Sequence, residues 1–197
     1  MADIGRKMNG IAADDMGLGP ATVILTRRRS RLLPHLTDSE LAMVDDLIAA
    51  IPDKGLMVHG DYHIENVMVQ KGDLVLIDVG GMSCGHPVLD LLCLYMKTTE
   101  PRYLETRLSM DDCKKIWEIY LDEYFAGKLT ADHRSDIEKI LSVLADIFML
   151  PAHCTVASTQ PEKAKEAKEC IKNRLGRISA VSPEQLKDLF RSVDVLY

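Results

Sequence analysis

Several features that would commit a chain to a specialised class are missing here. No stretch approaches the about 18 consecutive apolar residues of a membrane span, and the opening MADIGRKMNG mixes charges among few apolar residues, so it supplies no apolar core for a secretion signal. Cysteine is sparse and unpaired: Cys84, Cys93, Cys113, Cys154 and Cys170 are five in number, widely spaced and without a C-x-x-C pair. That excludes a disulfide framework and a zinc knuckle and fits a reducing cytoplasm. Excess positive charge is also lacking. A net charge of -6 argues against a nucleic-acid binder that works by neutralising phosphates. Internal repeats and low-complexity tracts are absent too.

The composition present is that of a soluble globular protein, 47% hydrophobic and 27% charged. A chain of 197 residues suits one domain, long enough to bury roughly two-thirds of its unfolded surface. Residues 1–36 are weakly patterned by Gly5, Gly10, Gly17, Gly19 and Pro20, with room for a short first helix, and the basic run Arg27, Arg28, Arg29, Arg31 reads as a solvated face. Thr37-Asp38-Ser39-Glu40 is a capping box, and Leu41, Val44, Leu47, Ile48 and Ile51 then share one helical face until Pro52, which predicts a helix over about 38–50. Residues 56–58, 66–70 and 74–77 are β-rich, and the last two, joined through Lys71-Gly72-Asp73, read as a hairpin with Gly72 at positive φ.

Beyond Pro87 the pattern is helical. Pro87 opens one helix through Leu92 and Met96; Ser109 caps another that Gly127 closes; Thr130 or Ser135 starts a third that Pro151 ends. A fourth runs from Pro161 to about Leu175 with Gly176 beyond it, and Ser182-Pro183-Glu184-Gln185 caps the last. Cys93 and Met96 read as helix packing, and the isolated His35, His133 and His153 carry no site.

The densest polar chemistry lies in VHGDYHIENVMV, residues 58–69. Asp61 precedes Asn66 by five residues, and Asp78 leaves the hairpin that Asn66 enters, so the turn brings these two together at one end. An amide oxygen and a carboxylate are hard ligands suited to Mg²⁺. Asp61, on the same loop, would lie beside that ion, placed to orient a substrate hydroxyl and take its proton. Plain turn chemistry for Asp61 and Asn66 would leave the Asp78 spacing without a reason. A dinuclear phosphoesterase needs several more His and Asp ligands than the chain presents in order.

His59-Gly60-Asp61-Tyr62-His63-Ile64-Glu65-Asn66, followed by Leu76-Ile77-Asp78-Val79-Gly80, resembles the H-G-D-x-x-x-x-N and I-D-x-x motifs of the aminoglycoside phosphotransferase and choline kinase-like family, itself similar to protein kinases. Gly85-His86-Pro87-Val88-Leu89-Asp90-Leu91-Leu92 resembles that family's G-D-P-x-x-D-L-A segment. The resemblance implies Asp61 as catalytic base, Asn66 and Asp78 as magnesium ligands, and ATP as phosphoryl donor to a small-molecule hydroxyl. His59 and His63 would support the loop, and Asp90 would accept hydrogen bonds from its backbone. Two positions depart from the pattern: Glu65 stands where Gly is frequent and His86 where Asp is frequent.

The implied fold is α+β and mainly α, the C-terminal lobe of a protein kinase-like fold, a helical bundle with one small β-hairpin. Residues 1–52 resemble the connecting helices and 53–197 the catalytic-loop hairpin and helical lobe, together a single domain. An N-terminal nucleotide-clamping lobe is missing from the pattern: only 58 residues precede His59, they show no strand-rich sheet, and Lys7 is the only lysine before Lys54. A separate N-terminal lobe or a second copy of the chain is the expected partner, with no membrane or nucleic-acid partner. The rival expectation is a truncated or split kinase-like domain that binds or regulates without turnover. Acceptor identity is expected to rest on the variable helices after Asp90, roughly residues 103–175.

Overall fold

The helices begin where the sequence supplies caps. In a computed structural model, which describes residues 1–99 and 109–197, the Thr37 hydroxyl accepts the Glu40 N–H while the Glu40 carboxylate accepts the Thr37 N–H at 2.7 Å. This reciprocal box opens α3 (Asp38–Ala49), which turns Leu41, Val44, Leu47 and Ile48 into the core. Before it lie α1 (Ala2–Asn9) and the single-turn α2 (Val23–Thr26). After it come the strands β1 (Leu56–Val58), β2 (Val67–Gln70), β3 (Asp73–Leu76) and β4 (Ser83–Gly85). The chain closes with α4 (Val88–Thr99), α5 (Met110–Tyr124), α6 (Ala131–Thr159), α7 (Ala164–Ile178) and α8 (Pro183–Val193). Matching boxes start α5 at Ser109/Asp112 and α8 at Ser182/Gln185, the latter with proline in the first turn. The described residues are thus mainly helical with small antiparallel sheets, an α+β architecture. Residues 103–108, at the head of the stretch expected to set acceptor identity, lie outside the described residues.

Two expected helix ends move. Helix α6 starts at the Thr130 cap and runs through Pro151 to Thr159, although an interior proline removes one hydrogen bond and costs about 3 kcal/mol. The apolar stripe explains this: Leu150 and Cys154, on either side of Pro151, are fully buried, and the Thr155 hydroxyl donates to the Pro151 carbonyl at 2.8 Å. Gly176 likewise sits inside α7, because Ile171 and Ile178 are both buried and hold the helix past it. The residues from Pro161 to Lys163 form a separate single turn ahead of α7. By length and composition α6 could cross a membrane, with mean hydropathy 1.8 in its most apolar stretch, a feature the shorter apolar runs of the sequence do not announce; 61% of that stretch is buried inside the fold, as in a core helix. It packs chiefly on α7 and α8.

The strands form two pairs rather than the single hairpin expected. Strands β2 and β3 make the hairpin, with Val67 opposite Leu76 and Gln70 opposite Asp73. Strand β4 returns antiparallel to β1, pairing Leu56 with Gly85 and Val58 with Ser83. The N-terminal residues are stitched onto this second sheet. Met57 N–H donates to the Ile11 carbonyl, Ala13 N–H to Gly55, and Ala21 N–H to Cys84, at 2.9, 2.8 and 2.7 Å. Both strand pairs therefore hold the segment between them, residues 59–66, at fixed ends.

The hairpin turn is a two-residue connection with Lys71 at φ 53° and Gly72 at φ 92°, the signature of a type I′ turn, where Asn-Gly is preferred. Lys71→Asn should therefore leave the thermal midpoint unchanged or raise it, whereas Gly72→Ala should lower stability by roughly 1 kcal/mol or more. Thermal unfolding followed by circular dichroism separates the two outcomes.

Candidate active site

A single buried carboxylate anchors the loop. Asp90, 1% exposed on α4, accepts the backbone N–H of His59 on Oδ2 and that of Gly60 on Oδ1, both at 2.9 Å, and the Asn9 side-chain amide on Oδ2 at 2.8 Å. Burial pushes the Asp90 pKa up, and these donors oppose the shift by stabilising the charged form. Asn9 completes its own set by donating to the Met57 carbonyl and accepting from the Tyr124 hydroxyl, at 2.8 and 2.7 Å. Helix α1, strand β1, the loop, α4 and α5 thus meet at one polar node.

Beneath the loop, His59 is fully buried. Asp61 N–H donates to its Nδ1 at 3.3 Å, so the ring proton is on Nε2, which faces the Ile77 carbonyl at 3.0 Å. The imidazole therefore spans the loop and the far end of the hairpin. Gly60 has φ +81°, and a Cβ there would stand 2.7 Å from the Gly81 carbonyl oxygen. Only glycine lets the two backbones approach so closely.

Asp61 projects outward, its side chain 54% exposed. Asn66, 9% exposed, donates Nδ2 to the Asp61 carbonyl at 2.8 Å and lies 3.4 Å from its carboxylate. The Ile77 N–H donates to the Asn66 carbonyl at 2.9 Å, which carries the hairpin ladder one step beyond its strands. Asp78 follows as the next residue, exposed, in the left-handed region at φ 58°, and it makes no capping bond to the turn Val79–Gly81. A left-handed non-glycine residue is uncommon, and such conformations cluster at functional sites.

His63 faces two carboxylates. Its Nδ1 accepts the Glu65 N–H at 3.3 Å, and Nε2 lies 3.3 Å from Asp61 Oδ1. Glu65 in turn pairs with Lys97 of α4 at 2.6 Å, and that ammonium holds the Glu65 carboxyl below its ordinary range. The structure therefore joins His59, Asp61, His63 and Asn66 of the loop to Asp90 of α4 in one hydrogen-bonded cluster, with Asp78 at its hairpin edge. Among the described residues no group of three or more His, Cys, Asp and Glu could hold a metal ion; an amide-plus-carboxylate pair lies outside that pattern.

Several contributors escape the sequence patterns. Asn9 is the clearest: Ala2, Gly5 and Asn9 fall at i, i+3 and i+7 on the buried face of α1, so a polar residue on a core-facing stripe was the signal available. The close approach of the motif residue Gly60 to Gly81 and the Glu65–Lys97 pair depend on partners distant in sequence. His86, the departure before Pro87, takes over a cap: its Nδ1 accepts the Val88 N–H at 3.1 Å at the start of α4. The basic run behaves as a surface, with Arg29 clamped on Asp45. Cys93 and Met96 are buried in α4.

Two predictions follow from this geometry. Gly60→Ala should displace the loop from Gly81, lowering the thermal midpoint and shifting the amide resonances of His59 to Asn66. His86 is 1% exposed, and burial lowers its pKa to about 4 against the partial offset of Asp194 and Asp53, with Lys54 adding to the depression. The unfolded chain, with a histidine near 6.5, binds more protons between those values. Stability should fall by roughly 3 kcal/mol as pH drops from about 6.5 to about 4. His86→Asn should flatten that slope in denaturant titrations run across the window.

No curated protein and no solved structure matches the chain. The family described as "Phosphotransferase enzyme family" matches residues 20–139, a span of well over half the chain that contains the whole loop, the hairpin and the Asp90 helix. With that match and the three motifs in order, the chain belongs to the phosphotransferase enzyme family, which groups the aminoglycoside phosphotransferase and choline kinase-like proteins.

Proposed function

We propose that the chain transfers the γ-phosphoryl group of ATP to a hydroxyl of a small molecule, as the larger lobe of a kinase-like phosphotransferase. The observation that carries this is the set of the Asn66 amide. Its Nδ2 is committed to the Asp61 carbonyl at 2.8 Å, which leaves Oδ1 as the side-chain atom available to a ligand, on the residue that enters the hairpin Asp78 leaves. An amide oxygen and an exposed carboxylate fit a magnesium ion that keeps most of its shell for water and phosphate. Such an ion, when bound, neutralises and orients nucleotide phosphates.

The protein's own residues do the rest. Asp61 accepts the acceptor's proton as the hydroxyl oxygen bonds to the γ-phosphorus and the bond to the ADP oxygen breaks. His63 Nε2 restrains Asp61 Oδ1, and Asn66 Nδ2 borders Oδ2. His59 and Asp90 hold the backbone that carries the base. A small molecule rather than nucleic acid as partner accords with the net charge of -6, and a reducing cytoplasm with the five free cysteines.

A second reading has its own support. Residues 1–55 form helices and turns without a strand; Lys7 is engaged with Asp3 at 2.8 Å and Lys54 with Asp194 at 3.3 Å, so neither lysine ahead of the loop is strand-borne. On this reading the chain binds or regulates and needs a nucleotide-clamping partner, either a separate lobe or another copy.

Calorimetry with Mg-ATP, followed by a transfer assay over a panel of hydroxyl compounds, decides between them. Binding and transfer support the first reading; silence at millimolar ATP supports the second. Where transfer occurs, Asp61→Asn should lower kcat at least about 100-fold with little change in thermal midpoint, because that side chain is half exposed. Retained turnover would remove Asp61 as the base.

A further inference from the structure

The outer side of the loop forms one wall of a cavity of about 440 Å³, enclosed otherwise by α1, α4 and α5. This is the size of a small-molecule site. Larger grooves, such as one of about 870 Å³ between α3, α6 and α7, include no residue of the loop. The wall next to the catalytic residues is Ile64 and Glu65, between His63 and Asn66. Three large apolar side chains that solvent reaches, Ile64 at 65%, Ile116 at 37% and Ile119 at 63% exposed, converge on this space, with Leu94 behind them. Exposed apolar side chains gathered around one concavity are the pattern of a binding site rather than of scattered surface.

Charge narrows the occupant. Glu65 is neutralised by Lys97 at 2.6 Å. Glu123, on the opposite rim, is exposed and its carboxylate makes no described hydrogen bond or ion pair. We infer that this cavity seats the body of the phosphoryl acceptor, and that the acceptor is an alcohol with an apolar chain or ring and at most one amine, the amine facing Glu123. Polyhydroxylated sugars fit the mainly apolar part of this lining poorly, since hydroxyls set against Ile64, Leu94, Ile116 and Ile119 would lose water. This inference rests on the phosphotransferase reading for the acceptor role, while the binding site stands independently of it.

The test uses the full chain with methyl-labelled isoleucine and titrates it with straight-chain alcohols from ethanol to 1-hexanol, then with 6-amino-1-hexanol and glucose. The Ile64, Ile116 and Ile119 methyl signals should move, and affinity should rise roughly fourfold per added methylene until the cavity fills. Ile119→Lys should erase that dependence, with the thermal midpoint checking that the fold persists. Glu123→Gln should weaken 6-amino-1-hexanol several-fold and leave 1-hexanol unchanged. Affinity that is flat with chain length, or glucose moving the same methyls equally, overturns the cavity assignment. In the presence of Mg-ATP, kcat/KM should follow the binding trend. Graded binding without any transfer would instead overturn the acceptor role and the phosphotransferase reading, leaving a binding site for apolar alcohols.

Discussion

Everything at the site hangs from the Asp90 carboxylate. A buried carboxylate is costly unless each lone pair finds a donor, and here the donors are the two peptide N–H groups that begin the loop and the amide of Asn9. The requirement runs both ways. Asp90 needs the loop to remain charged in the interior, and the loop needs Asp90 because its Gly60 turn leaves those N–H groups without secondary-structure partners. Asn9 then transmits the same constraint to Tyr124 and Met57, so α1 and α5, far apart in the sequence, are fitted to one pair of oxygens.

The parts of this design that are local could be read from the sequence. Capping boxes at Thr37, Ser109 and Ser182 act within four residues, and they appear where the pattern puts them. The β2–β3 hairpin is also local, and so is the spacing from Asp61 to Asn66. Where tertiary packing competes with a local signal, packing wins: burial around Pro151 and Gly176 carries α6 and α7 past residues that usually end helices. Strand β4 was illegible because Ser83-Cys84-Gly85 has little strand character of its own and is held by β1 and by the N-terminal residues.

The candidate site divides along the same line. Asp61, Asn66, Asp78 and Asp90 are announced by motif spacing, but some of the groups that fasten them, Asn9 and Lys97 among them, belong to no motif. The two departures from the family pattern illustrate this. His86 presents a ring nitrogen where a carboxylate oxygen is frequent and still accepts the first N–H of α4. Glu65, where glycine is frequent, reaches across to Lys97 and fastens the loop to the outer face of that helix. Neither compensation is visible until the fold sets distant residues side by side.

The contact between Gly60 and Gly81 and the His59 bridge to Ile77 have a mechanical meaning. They tie the segment after β1 that bears Asp61 to the segment after β3 that bears Asp78, so on the proposed function the proton acceptor and the metal-side carboxylate keep a fixed spacing. On that reading, an adjustment in the distance between phosphoryl donor and acceptor comes from the side of the nucleotide rather than from this loop. The loop would then act as the fixed reference against which the donor is positioned.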